Sequence, residues 1–224
     1  MIPREVLATS HMPDGGGEIR LVRRGEEYSI MLGATELMNS RLSGSEEQLA
    51  ATPCERIAGR ARPAILIGGL GMGFTLRAAL SRLAKDAEVT VAELVPAVVD
   101  WARGPLAHIF AGSLDDRRVR IFEGDVAALI DGARNAWDAI LLDVDNGPGG
   151  LTREANDRLY ARGGLAAAHD ALRPGGVLAV WSSHPDTGFT RRLESARFQV
   201  EERVVRARGD KGPRHVLWFA TRRR

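Results

Sequence analysis

Residues 65–76 read ILIGGLGMGFTL, three aliphatics running into four glycines within the six positions from Gly68 to Gly73. A strand that meets water on neither face loses its polar/apolar alternation, so the unbroken ILI is read as a strand buried in a parallel sheet. Glycines then stand where the chain must turn sharply and let a ligand or another backbone come close. FTLRAALSRLA (74–84) continues as a helix. In an open α/β sheet a turn of this kind faces the ligand, with backbone N–H groups directed at it.

The same grammar repeats downstream. VTVAELV (89–95) precedes PAVVDWARGPL, VRIFEGD (119–125) precedes VAALIDGA, and DAILLDVD (138–145) precedes a long helix expected to run through Tyr160 to Leu172. GVLAVWSS (176–183) precedes FTRRLESA. Strand alternating with helix implies βαβ units and a doubly wound, Rossmann-like α/β sheet. The last segment, residues 198–223, reads instead as two strands around a loop at Gly209-Asp210-Lys211-Gly212, an antiparallel pair closing the sheet. Upstream, IRLVRRGEEYSIMLG (19–33) alternates about a Gly25-Glu26 turn and is expected to be a β-hairpin. Ser45 is expected to cap the helix beginning at Glu46. Residues 1–50 are therefore read as a small β-rich lid and residues 51–224 as the Rossmann-like catalytic domain.

With 224 residues, 44% hydrophobic and 27% charged, the chain has the composition of a globular protein with a full core. No run approaches the roughly 18 apolar residues of a spanning helix, and MIPREVLATS lacks the apolar stretch of a signal peptide, so a cytoplasmic protein is expected. A net charge of +2 gives no ground for a nucleic-acid partner or a membrane surface. One cysteine, Cys54, excludes an internal disulfide, and five scattered histidines form no ligand spacing, so no metal is expected.

Three consecutive strand ends carry glycine, acid and acid. Glu93 lies 24 residues after Gly69 and closes VTVAE, where a carboxylate can accept from both ribose hydroxyls of a nucleoside. Asp125 closes the next strand, where it can accept from an adenine amino group while the Val126 N–H donates to a ring nitrogen; it would also make a helix cap. Asp143 and Asp145 follow the fourth strand, ahead of Gly147-Pro148-Gly149-Gly150, and as a pair can hold a cationic amine and accept its proton, or simply build the turn. Tyr160 is read as core, Trp101 as packing on the sheet, and His184 as a loop histidine or, alternatively, a second base. Arg153, Arg158 and Arg162 are read as a solvated helix face.

ILIGGLGMGFT, VTVAEL with PAVVDWAR, FEGDVAALI, AWDAILLDVDNGP and LRPGGVLAVWSS resemble, in order, the motifs of the class I S-adenosylmethionine-dependent methyltransferase superfamily, most closely those of the spermidine synthases. The resemblance spans about residues 30 to 221. It implies that Gly69, Gly71 and Gly73 form the donor loop, that Glu93 binds ribose and Asp125 adenine, that Asp143 lies beside the reacting amine, that Tyr160 lines the acceptor pocket, and that the protein is a homodimer. Three departures matter, and the first is that Asp143-Val144-Asp145-Asn146-Gly147-Pro148 is two residues shorter than the DSSDPxGP-like stretch of the synthases. Spermidine synthases carry an acid in a GGGDGG-like loop where this chain has Gly71, and GSEEQLA (44–50) replaces their Tyr-His-Glu segment. A neutral loop suits the carboxylate of S-adenosylmethionine itself. The first expectation is therefore a methyltransferase using S-adenosylmethionine on a small, amine-class acceptor. The alternatives are aminopropyl transfer from decarboxylated S-adenosylmethionine, binding of an adenosyl ligand without efficient chemistry, and a nicotinamide dehydrogenase, against which the loop lacks G-x-G-x-x-G.

Overall fold

A computed structural model describes residues 2–144, 147–148, 154–208 and 211–223; for residues 14, 154–156, 208 and 211 it describes the backbone alone. The chain builds two sheets. β1 (Glu5–His11), β2 (Glu18–Arg24), β3 (Glu27–Leu32) and β4 (Thr35–Asn39) form an antiparallel sheet in sequence order. The hairpin expected at Gly25-Glu26 is its centre, pairing Arg24 with Glu27.

The second sheet has seven strands, ordered β10-β11-β9-β8-β5-β6-β7. Its parallel strands are β5 (Ala64–Gly68), β6 (Glu88–Glu93), β7 (Val119–Glu123), β8 (Trp137–Leu142) and β9 (Leu172–Ser182). β10 (Phe198–Arg208) and β11 (Lys211–Arg222) close it as the expected antiparallel pair. From β5 the chain winds outward through β6 and β7, then returns to place β8 on the other side of β5. That reversal is the switch point at which such sheets open a crevice. Ile65, Leu66, Ile67, Ile140 and Leu141 have no exposed surface, the physical reason this stretch shows no alternation.

The connecting helices are α1 (Gly44–Arg56), α2 (Phe74–Leu80), α3 (Pro96–Arg103), α4 (Ala107–Phe110), α5 (Ala127–Ile130), α6 (Glu154–Tyr160), α7 (Arg162–Ala171) and α8 (Phe189–Ser195). Two expectations need correction. The long helix after β8 is two helices, because Ala161 adopts an extended backbone (ψ 164°) and Gly164 comes so close to α6 that a Cβ would stand 2.2 Å from the Arg158 carbonyl oxygen. Ser45 is not the cap of α1: Ser43 holds that position, and Ser45 lies in the first turn with no exposed surface. Residue 50 falls inside α1. Ile19, Leu21 and Ile30 of the N-terminal sheet share one core with Leu70, Met72, Val95 and Val98, so the two sheets are packed together. No helix among the described residues is long and apolar enough to cross a membrane.

Candidate active site

The crevice is shaped by backbone contacts at the end of β5. Gly69 has φ +92° and donates its N–H to the Ala92 carbonyl; a Cβ on it would stand 2.3 Å from the Asp143 carbonyl oxygen, so only glycine fits. Gly73 begins α2 and accepts the Phe110 ring against its α-carbon. Gly71 differs in what covers it. Its φ is +51°, and a Cβ would meet Met38 Sδ, from β4, at 2.8 Å. The contact is with the flexible end of the Met38 side chain, which can move, so what favours glycine here is the left-handed backbone.

Glu93 is 8% exposed at the end of β6, with Oε2 accepting from the Leu70 N–H and Oε1 from the Val95 N–H, both at 2.9 Å. Burial pushes its carboxyl up, and the surrounding backbone N–H groups oppose that shift. Each oxygen keeps acceptor capacity for another donor. Asp125 receives the Ala127 N–H at 2.8 Å, as a cap does, and on its other oxygen Arg158 at 2.6 Å. Arg158, expected only as part of a solvated face, is thus tied to the site. Val126 is buried beneath Gly68.

Asp143 leaves β8 with its N–H on the Gly68 carbonyl and its Oδ2 accepting from the Thr75 hydroxyl at 2.6 Å. Burial raises its carboxyl to about 7; the negative charge of Glu46 adds to the rise, and the Thr75 hydrogen bond opposes it. Asp145, expected as its partner, lies outside the described residues, as do Asn146, Gly149, Gly150, Arg153, Gly209 and Asp210. The second acid beside Asp143 comes instead from α1.

Two cavities meet here. One, of about 90 Å³, is bounded by Gly69, Glu93, Asp125 and Val126; the other, of about 250 Å³, by Glu36, Glu46, Trp181, Ser183 and His215. Leu37, Met38, Gly71 and Asp143 line both. Together they reach the scale of the smaller ligand sites, roughly 300 Å³ upward. No lysine or arginine lines either cavity among the described residues. A larger groove, about 750 Å³, runs past Arg77, Arg82 and Ser113 on the outer side of α2 and contains none of Glu93, Asp125 or Asp143, so size does not identify the site.

Glu46 is the residue that sequence reading missed. Burial raises its carboxyl, and the Ser45 hydroxyl, 2.6 Å from Oε2, partly offsets the rise. Its signal was present in GSEEQLA, but only folding brings the first turn of α1 to the end of β8. His215, on β11, was indistinguishable from the other histidines; burial lowers its imidazole, with a smaller contribution from His184. Tyr160 is core, buried edge-on to Phe189, and Trp101 is core as expected. His184 is exposed, beside the Ser183 hydroxyl. Burial raises the Cys54 thiol to about 11, which keeps it inert.

Residues 44–189 match the model of the spermine/spermidine synthase domain. The chain is 30% identical over 186 residues to a polyamine aminopropyltransferase of Mycobacterium tuberculosis, an alignment covering 80% of this chain and 34% of that protein. It is 33% identical over 150 residues to polyamine aminopropyltransferase 2 of Pseudomonas aeruginosa, covering 62% and 40%. The chain thus spans about a third to two fifths of these curated relatives. In fold it resembles the spermidine synthase of Thermotoga maritima, with a TM-score of 0.77 at 20% identity over 97% of this chain and 72% of that one. A spermidine synthase crystallised with the transition-state analogue AdoDATO gives 0.76 at the same identity and coverage. On the match across residues 44–189 and this shared architecture, the chain belongs to the spermine/spermidine synthase family, within the S-adenosylmethionine-dependent methyltransferase-like fold.

Proposed function

We propose that this protein transfers an aminopropyl group from decarboxylated S-adenosylmethionine to a small aliphatic amine. The observation that carries this reading is the make-up of the cavity over the glycine loop: Glu36, Glu46 and Asp143 line it, and no described basic side chain does except His215, whose imidazole is held toward neutrality. Burial raises Glu46 and Asp143, so a cation entering between them is what completes their charge. The carboxylate of S-adenosylmethionine would enter against that field, whereas the cationic amine of the decarboxylated donor and an acceptor ammonium are both attracted by it. A neutral loop alone favours S-adenosylmethionine, which made methyl transfer the first expectation. The acids supplied by α1 and β4 reverse that order.

The residues fit the donor. Glu93 is fixed by two backbone N–H groups and retains lone pairs for the ribose hydroxyls, and Asp125 with Val126 forms the adenine side, with Arg158 sharing the Asp125 carboxylate. When bound, the donor supplies a carbon activated by the adjacent sulfonium. The chain's own contribution is to orient the amine and to remove its proton, because an ammonium has no lone pair with which to attack. Asp143, raised to about 7, is the acceptor for that proton. The N-terminal sheet, β1 to β4, acts as the lid that limits the acceptor to a small molecule.

Calorimetric titration with S-adenosylmethionine and with its decarboxylated form tests the reading. Tighter binding of the decarboxylated form by about tenfold or more, roughly 1.4 kcal/mol, is expected, together with aminopropylation of 1,4-diaminobutane. Preference for S-adenosylmethionine with a methylated product would restore the methyltransferase reading.

A further inference from the structure

Ser45 places a fully buried hydroxyl between two titratable side chains, 2.6 Å from Glu46 Oε2 and 2.8 Å from His215 Nδ1. Both of those side chains border the Asp143 cavity. The His215 ring is held by edge packing on Trp181, with centroids 4.7 Å apart. A hydroxyl has one proton to donate and lone pairs to accept with, so the chain has two settings. With Glu46 ionised, the Ser45 O–H donates to Glu46 and the His215 Nδ1–H donates to Ser45. With Glu46 protonated, the carboxyl donates to Ser45, Ser45 donates to the Nδ1 lone pair, and the imidazole carries its proton on Nε2.

We propose that Glu46, Ser45 and His215 form a proton-transfer chain that serves the activation of the acceptor amine. The proposal rests on the aminopropyl reading, because an ammonium is the source of the proton. One N–H bond of the ammonium breaks, its electron pair stays on nitrogen, and the proton goes to Asp143 and from there, across the cavity both carboxyls line, to Glu46. Once Glu46 is protonated and the ring stands in the Nε2–H tautomer, Glu46 passes a proton to Ser45 as Ser45 passes its own to His215 Nδ1; the imidazolium releases its Nε2 proton to water in the cavity, and the neutral ring then exchanges tautomer through water to be ready again. The nitrogen pair then forms the C–N bond while sulfur keeps the pair of the breaking C–S bond. The charged and titratable groups around the chain are Asp143 from the end of β8, Glu36 from β4, Glu47 from α1, and His184 following β9. Two neighbouring carboxyls cannot both stay ionised once the cation between them has lost its charge, and a route out through Ser45 relieves them.

Nitrogen-15 NMR of His215 in the ligand-free protein reads the chain without turnover. In wild type the Nδ1/Nε2 tautomer ratio is expected to change as Glu46 titrates; in E46Q and in S45A that change is expected to vanish. The same His215 titration in all three proteins would overturn the proposal. With decarboxylated S-adenosylmethionine and 1,4-diaminobutane, S45A is expected to lower kcat about tenfold at pH 7 and less at pH 9, where more free amine is present, with KM within about twofold of wild type. A loss uniform across pH, or no loss, would also overturn it. Wild-type protein that aminopropylates no amine would sink the parent reading instead, and the NMR titration would still decide the chain.

Discussion

Strand β8 has an aspartate near its start and another directly after its end, and their surroundings are opposite. Asp138, 1% exposed, receives Arg60 at 2.5 Å on one oxygen, and Arg173 at 2.6 Å with the Ala64 N–H at 2.8 Å on the other. Asp143, five residues later, has one hydroxyl donor, an acidic neighbour and a cavity. A carboxylate with two guanidinium partners and a backbone donor ties the start of β8 to β5 and β9. A carboxylate whose nearest charge is of its own sign waits for a cation. The same residue type at the two ends of one strand is a fastener in one place and a reactive group in the other, and the difference lies in what other elements bring to it.

The contrast is sharpest in Asp143→Asn. It keeps the acceptor for the Thr75 hydroxyl but removes the proton acceptor, so aminopropyl transfer is expected to fall by about 10²–10⁴-fold with the fold intact, measured by steady-state kinetics alongside circular dichroism. Full turnover would reduce Asp143 to a structural role. Asp138→Ala is expected to do the converse. It leaves the part-buried Ala64 N–H without its acceptor and two part-exposed arginines without their partner, and should cost about 1–3 kcal/mol in urea denaturation. A loss under about 1 kcal/mol would remove Asp138 from the list of fasteners.

Gly71→Asp tests whether the loop backbone excludes an acid. The left-handed φ of +51° should cost the folded protein about 1 kcal/mol or more in urea denaturation, and adding Met38→Ala should recover little of it, because the strain lies in the backbone. A single variant of unchanged stability would show that the loop accepts a side chain. The charge state of Asp143 gives a smaller signature. Its folded value of about 7 lies above the ordinary 3.8, so the fold favours the neutral carboxyl. The associated stability is complete at low pH and is lost as pH rises through 7. Asp143→Asn should therefore raise the Tm of the ligand-free protein more at pH 8.5 than at pH 5; an equal shift at both would contradict the raised value. Arg158→Ala is expected to change donor affinity least, by under about 1 kcal/mol, because the pair it makes with Asp125 is solvent-exposed.

The architecture was legible because each buried strand is a short aliphatic run and each turn after it carries glycine or acid, features set by local backbone sterics and by burial on both faces. Gly69, Glu93 and Asp125 could be placed at strand ends for the same reason. The break at Ala161 was not legible, since it depends on Gly164 packing against the Arg158 backbone rather than on any proline or cap. Glu46 was hidden for a related reason. GSEEQLA reads as an ordinary acidic first turn, and nothing within seven residues tells that it will face a strand end nearly a hundred positions later.

By itself, the sequence determined the doubly wound sheet, its antiparallel closing pair, the N-terminal hairpin and the order of the crevice residues, because those follow from periodicity and spacing along the chain. Tertiary structure alone decided the charge of the site. α1 and β4 carry Glu46 and Glu36 to the cavity beside Asp143, and electrostatic potential depends on distances through space, which no local pattern encodes.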